Sequence, residues 1–374
     1  MIYFDSAATT FQKPASVAAA MQNALRTMSS PGRGGHHAAM RAAETAFTCR
    51  NELAELYRLP NPECVVFTLN ATHALNIAIK SLVRPGDRVV ISGYEHNAVT
   101  RPLAALGAEI AVADGPLFHP EEVTAAFRHQ ITPETRAVVC NHVSNVFGFI
   151  QPVEEIAAIC RSRRVPLIID ASQSAGVLPL DMTALGAAFI AMPGHKGLYG
   201  PQGTGVLLCG GEQQPRTLLE GGTGSLSMQQ EMPDFLPDRL EAGTHNMPGI
   251  AGLLAGVRFV RRRGVENICE RERRLALLAA EGLRAIPGVE VYALPGLRNQ
   301  AGVLSFTVQG RDVEEVGAAL AERDIATRTG LHCAPLAHRS AGTLEGGTVR
   351  LSFSDFNTPE EVYRFLRTLE RELR

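Results

Sequence analysis

Residues 187–209 read AAFIAMPGHKGLYGPQGTGVLLC. Two short apolar runs, AAFIAM (187–192) and GTGVLLC (203–209), flank a glycine-crowded loop that carries one lysine, Lys196. Each run is bounded by Gly, Pro or charge and is short, so both read as buried strands. A phosphate-binding P-loop would be GxxxxGK[ST] with a helix directly after the lysine. Here the lysine comes early, no Ser or Thr follows it, and a second strand begins near Gly203. The stretch therefore reads strand, tight loop, strand. Lys196 is either a desolvated amine suited to Schiff-base chemistry or a surface lysine in a glycine-rich turn.

The same texture extends upstream. RVVISG (88–93), EIAVAD (109–114), AVVCNHV (137–143) and PLIIDAS (166–172) are short, apolar and punctuated like strands. Between them, EEVTAAFRHQI (121–131) and VEEIAAICRSRR (153–164) space apolar residues at three and four, as crossover helices do, and HALNIAIKSLV (73–83) predicts another helix. Repeated strand–helix–strand units imply a mostly parallel sheet covered on both faces. After about residue 245 two long helical patterns appear, followed by strand VEVYAL, strand GVLSFTV, helix DVEEVGAALAER, strand TVRLSFS and a helix from Pro359. That order predicts a smaller α+β domain.

The chain has 374 residues, 45% hydrophobic and 20% charged, with a net charge of −2. That length suffices for two packed domains. The charge balance points to neither nucleic acid nor an acidic membrane surface as partner. No stretch approaches the roughly 18 apolar residues of a membrane span. The opening MIYFDSAATT lacks the basic and apolar regions of a secretory signal, so a cytoplasmic protein is expected. Seven cysteines without a CxxC pair or zinc-like spacing predict free thiols and no metal site. Cys49, Cys64, Cys140, Cys160, Cys209 and Cys269 lie in apolar or amphipathic segments and read as small core residues. Cys333, in RTGLHCAP, reads as a loop thiol and the candidate reactive one.

In open α/β sheets, ligands bind beyond the carboxyl ends of the strands. The strand PLIID ends at Asp170, which reads either as a helix N-cap or as the acid that holds a ring cation, as in pyridoxal-phosphate enzymes. Gln173 lies three residues on. TLNATHALN runs from a strand into a helix, so the amides of Ala71, Thr72 and His73 form an anion site at a helix N-terminus, or Asn70 and Thr72 serve as plain caps. His96 in GYEHNAV and Asn145 in NHVSNVFG fall on the same edge, His96 as a flat partner for an aromatic cofactor or as a structural residue.

Together, YFDSAATT, NAT.ALN, EHNAV, HVSNVFG, IDASQS, GHKGLYGPQGTG, EAGTHN and RTGLHCAP resemble the cysteine desulfurase/selenocysteine lyase family. These are class-V aminotransferase-like, pyridoxal-phosphate-dependent enzymes of fold type I, and the likeness is closest to the Suf-type branch. It implies a large domain with a mostly parallel seven-stranded sheet (16–248), an N-terminal arm (1–15) packed on the small domain, and a small α+β domain (249–374) carrying the cysteine loop. It implies that Lys196 carries pyridoxal 5′-phosphate as a Schiff base. Asp170 would pair with the ring nitrogen, Gln173 bond the ring oxygen, His96 stack on the ring, and Asn145 lie beside ring and substrate. Ala71, Thr72 and His195 would bind the phosphate, and Thr244 would reach the phosphate of the other subunit of a homodimer. Arg350 would clamp the substrate carboxylate, Arg328 order the cysteine loop, and His36 lie on the substrate side.

Three positions depart from the family pattern. Pro193 stands where relatives often have a hydroxyl residue, Gly197 adds a position after the lysine, and His73 replaces an acidic residue. The implied activity is conversion of L-cysteine to L-alanine with a persulfide on Cys333, destined for a sulfur-acceptor protein, and His332 or the substrate would take the thiol proton. The rivals are a selenocysteine lyase with the same residues, another class-V aminotransferase or lyase, and a non-catalytic scaffold or sulfur-relay partner.

Overall fold

The computed structural model describes residues 1–32, 34–211 and 214–373. Its strands, in chain order, are β1 (Ile2–Tyr3), β2 (Val65–Thr68), β3 (Arg88–Ser92), β4 (Glu109–Ala113), β5 (Thr135–Asn141), β6 (Leu167–Asp170), β7 (Phe189–Pro193), β8 (Gly205–Cys209), β9 (Val289–Tyr292), β10 (Val303–Val308), β11 (Ile325–Ala326), β12 (Arg328–Gly330) and β13 (Thr348–Ser352). Seven of them form one sheet in the order β2-β8-β7-β6-β5-β3-β4. Only β8 runs against the rest: it pairs antiparallel with both β2 and β7, while the other neighbours are parallel. This is the α/β sheet that the strand–helix alternation predicts.

Alternation along each strand sorts side chains onto two covered faces. Val138, Cys140, Ile169, Ile190, Met192, Val206 and Leu208 enter one core with the helices His37–Leu56, Pro120–Gln130 and Val153–Arg163. Ala137, Val139, Ile168, Phe189, Ala191 and Leu207 enter the opposite core under the helices Ala71–Leu82 and Asn97–Ala105. The helix Met247–Arg263, which spans the expected boundary at 248/249, sends Met247, Ile250, Leu253 and Val257 into the first of these. The helices Ala15–Thr27, His37–Leu56 and Asn97–Ala105 were not predicted, nor were the two- and three-residue strands β1, β11 and β12.

A separate core lies between the four-stranded antiparallel sheet β12-β13-β10-β9 and the helices Val265–Arg284 and Pro359–Glu372. Thr358 opens the last helix with a capping box closed by Glu361. The N-terminus joins this core: β1 pairs parallel with β11, and Ile2 and Phe4 are buried there. The chain then crosses to the large sheet, where Ala7 and Thr10 meet the loop after β7 and its neighbour. Among the described residues, no helix is long and apolar enough to cross a membrane.

The glycines around Lys196 serve close backbone contact. Gly176, at φ +79°, faces Gly197, and an added Cβ would lie 2.3 Å from the Gly197 carbonyl oxygen. A Cβ on Gly197 would in turn lie 2.3 Å from the Ala175 carbonyl oxygen. The loops after β6 and β7 are thus pressed backbone to backbone. Gly176→Ala should destabilise the fold by about 2–3 kcal/mol, because it combines an overpacked contact with left-handed backbone. Gly346→Ala, with nothing within 4 Å of the added atom, should stay within about 0.5 kcal/mol. Urea unfolding midpoints check both.

Candidate active site

The carboxyl ends of β5, β6 and β7 and the start of the helix Ala71–Leu82 surround an open cleft. Ala71, Thr72, His96, Asn145, Asp170, Gln173, His195 and Lys196 all line it, together with Asn141, Ser172 and Pro193. Sheet topology explains the convergence: Asn141 on β5 is directly paired with Asp170 on β6, and Asp170 with Ala191 on β7, so the residues that follow each strand emerge side by side.

Lys196 presents its amine to this cleft, bonded to none of the described residues. Burial lowers its pKa from the ordinary 10.5 to about 8, against the opposing pull of Asp170. Asp170 is 4% exposed. Its Oδ1 accepts from the Ser172 amide at 2.9 Å and also from the Ser172 hydroxyl. The local bond and the role as a charge in the cleft therefore coexist. His96 caps the helix Asn97–Ala105, its Nδ1 accepting from Ala98 N at 3.0 Å. Burial lowers the His96 pKa, so the ring is neutral at neutral pH and free to lie flat against a ligand. Gln173 donates through Nε2 to the Ala7 carbonyl at 3.0 Å, so the N-terminal segment already holds it.

Asn70 caps the helix Ala71–Leu82 by accepting from His73 N at 2.9 Å. The first-turn amides of Ala71 and Thr72 thus lie at the positive end of a helix that opens on the cleft, a ready site for an anion. His73, the departure from an acidic residue, turns its Nδ1 to accept from the Leu69 amide at 3.2 Å. His195 lies beside this end, its Nδ1 3.0 Å from Thr9 Oγ1, with its pKa lowered to about 4 by burial first and by Lys196 and Lys13 next.

Cys333 is exposed, on the loop between β12 and the helix Pro335–Ser340. Two hydrogen bonds hold that loop beside the cleft: Asn145 Nδ2, on the cleft wall, donates to His332 O at 2.8 Å, and Asn97 N, next to His96, to Cys333 O at 2.8 Å. Both His332 and Cys333 have left-handed backbone, φ 49° and 56°. His332 does not fit the expected role of thiol base. Its ring is buried, with Nε2 3.1 Å from Thr348 Oγ1, and burial drives its pKa down to about 2.

Arg350 and Arg328 are opposite each other on β13 and β12, and both approach Asp5. Arg350 Nη2 donates to Asp5 Oδ1 at 2.7 Å and Nη1 to Asn145 O at 2.8 Å. Arg328 Nη1 is 3.8 Å from Asp5 Oδ2. Arg350 Nε and Asn145 Oδ1 are buried with no partner. Arg350 is thus fixed beside Asn145 with unused bonding capacity, and its resident counter-ion is Asp5. His36 is not brought to the cleft: it is exposed and caps the helix His37–Leu56. Thr244, expected to reach the phosphate of another subunit, is exposed on a neighbouring groove with His73 and Asn246.

Sequence reasoning missed Asp5, Lys13 and Glu95. Glu95 is fully buried, with Oε1 2.6 Å from Ser92 Oγ and 2.7 Å from Asn141 N. Burial raises it to about 8, so at neutral pH it is largely the uncharged acid and leaves Asp170 as the charge beneath the cleft. Its signal lay within the EHNAV motif, one residue before His96. Among the described residues, no three His, Cys, Asp or Glu side chains gather as a metal site. An exposed helix N-terminus for an anion, a buried carboxylate and a desolvated amine make a site suited to an anionic aromatic aldehyde.

The family model described as Aminotransferase class-V matches residues 2–365. A probable cysteine desulfurase of Methanothermobacter thermautotrophicus is 34% identical over 99% of this chain and 94% of its own length. One from Mycolicibacterium paratuberculosis is 35% identical over 99% of this chain, which spans only 55% of that relative. Among solved structures, the apo cysteine desulfurase of Thermococcus onnurineus NA1 superposes with a TM-score of 0.90 at 32% identity, covering 99% of this chain and 94% of that one. The S-sulfonic acid form of the Escherichia coli cysteine desulfurase CsdA gives 0.87 at 28% identity, covering 99% and 94%.

With an amine pKa of about 8, the acylation rate of Lys196 should rise about fivefold from pH 7 to 8 and change little above pH 9. Competitive labelling with acetic anhydride, read by peptide mass, measures this. An amine of ordinary pKa would keep gaining about tenfold per unit to pH 10.

Proposed function

The chain belongs to the class-V aminotransferase family, and on that premise we propose that it is a cysteine desulfurase that uses pyridoxal 5′-phosphate. It moves sulfur from L-cysteine to the Cys333 thiol and releases L-alanine. One observation carries the reading: an exposed cysteine whose loop is bonded to Asn145, which lines the Lys196 cleft, and to Asn97, the residue after His96.

The residues present fit the cofactor. Ala71, Thr72 and His195 would hold its phosphate at the helix N-terminus, Asp170 its ring nitrogen, Gln173 its ring oxygen, and His96 its ring face. Lys196 would hold its aldehyde. The partnerless Asn145 Oδ1 supports a polar ligand at the same wall. When bound, the cofactor supplies an electron sink that makes the α-proton of an amino acid removable.

The chain's own side chains do the rest. Lys196, with a pKa of about 8, has a neutral fraction at pH 7–8 able to take that α-proton and return it later. Arg350, anchored by Asn145 and Asp5, offers its remaining donors to the substrate carboxylate. The Cys333 sulfur attacks the substrate sulfur. One S–S bond forms as the Cβ–S bond breaks, and the Cys333 thiol becomes a persulfide as cysteine becomes alanine. Since His332 is buried and scarcely basic, the thiol proton leaves to substrate or solvent on the exposed side.

The same reading takes the enzyme to be a cytoplasmic homodimer. Exposure of Thr244 on a groove beside the helix Ala71–Leu82 supports its reaching a second copy. Exposure of Cys333 supports hand-over to a sulfur-acceptor protein.

The test is Cys333→Ala. Alanine release from L-cysteine should fall at least about a hundredfold, the scale for loss of a nucleophile, while the bound-cofactor absorbance is unchanged. Turnover at the wild-type rate would show that Cys333 does not accept the sulfur.

A further inference from the structure

We propose that Lys13 is a positioning residue for the anionic end of the cofactor, acting through His195 to supply the phosphate's counter-charge. This inference rests on the cleft being a pyridoxal-phosphate site.

Lys13 lies on the N-terminal segment, which runs behind the Lys196 loop. Its Nζ donates to Thr10 Oγ1 at 2.6 Å and to the His195 carbonyl at 3.0 Å. That carbonyl is already well supplied. Thr10 N lies 3.1 Å away, Thr10 Oγ1 3.0 Å and Thr9 Oγ1 3.2 Å. A carbonyl oxygen has two lone pairs, so neutral donors alone can satisfy it. An ammonium there is surplus to local hydrogen bonding, and what it adds is charge.

That charge has no counter-ion. No described carboxylate forms an ion pair with Lys13, and burial alone accounts for its lowered pKa of about 8. A partly buried cation without a partner is costly unless a ligand completes it. The direction in which it acts is given by His195, whose own protonation Lys13 opposes. His195 shares the cleft with Ala71 and Thr72, at the helix N-terminus, and Thr9 engages its Nδ1, leaving the other ring nitrogen unclaimed. Pro193 also lines the cleft and, lacking an N–H, brings no donor to an anion. Lys13 therefore raises the positive potential beside His195 at this end of the cleft.

The experiment uses the apoprotein, Lys13→Gln and Lys13→Arg, and measures Kd for pyridoxal 5′-phosphate and for pyridoxal, which lacks the phosphate, by absorbance. Glutamine keeps a donor and removes the charge. Lys13→Gln should weaken binding of the phosphate form about tenfold, as loss of one charge-assisted interaction does, and leave pyridoxal within about twofold. Lys13→Arg should keep both near wild type. Unchanged affinity for the phosphate form in Lys13→Gln overturns the proposal. Equal weakening toward both aldehydes also overturns it, since that marks a purely structural role. Wild-type protein that binds neither aldehyde would overturn the cofactor reading itself.

Discussion

A lysine amine set among protein atoms, with no acceptor bonded to it, is poorly stable as a cation, and the rest of the site depends on keeping it that way. Lys196 is held so by backbone: Gly176 and Gly197 let two loops touch where any side chain would separate them. The carboxyl ends of β6 and β7 set Asp170 and Lys196 at neighbouring exits of one sheet. Burial outweighs the pull of Asp170, which does not bond to the amine, so the amine keeps a reactive neutral fraction near neutral pH. Asp5 adds a weaker pull in the same direction as Asp170, offset by Arg350 and Arg328.

The second constraint is mechanical. Lys196 belongs to the large sheet, while Cys333, Arg328 and Arg350 belong to the four-stranded sheet or the loop leaving it. The first thirteen residues bridge the two. β1 and Phe4 are built into the second core, Asp5 pairs with Arg350, Ala7 holds Gln173, and Thr9, Thr10 and Lys13 hold His195. Asn145 completes the junction by bonding both Arg350 and the cysteine loop. A displacement of the N-terminal segment would therefore reach Arg350 and His195 together.

Much of this was legible in the chain. Period-two and continuous apolar runs located the strands of the large sheet within a residue or two, because strands buried on both faces must be apolar throughout. The rule that ligands sit beyond strand carboxyl ends then picked out His96, Asn145, Asp170 and Lys196. Other parts carry no periodic signal. β1, β11 and β12 are too short to show one, and Asp5 and Lys13 act from irregular backbone. The helices Ala15–Thr27 and His37–Leu56 are rich in alanine, which marks neither face clearly. The inward turn of His332 depends on left-handed backbone at two successive non-glycine residues, which local sequence does not advertise.

The most direct measurement is borohydride reduction of the pyridoxal-phosphate-loaded protein followed by peptide mass mapping. The chain has only three lysines, Lys13, Lys80 and Lys196, so the outcome is unambiguous. The expected result is a pyridoxyl group on the peptide containing Lys196 and on no other. An adduct on Lys13 or Lys80, or none at all, would contradict the assignment of Lys196 as the reactive amine.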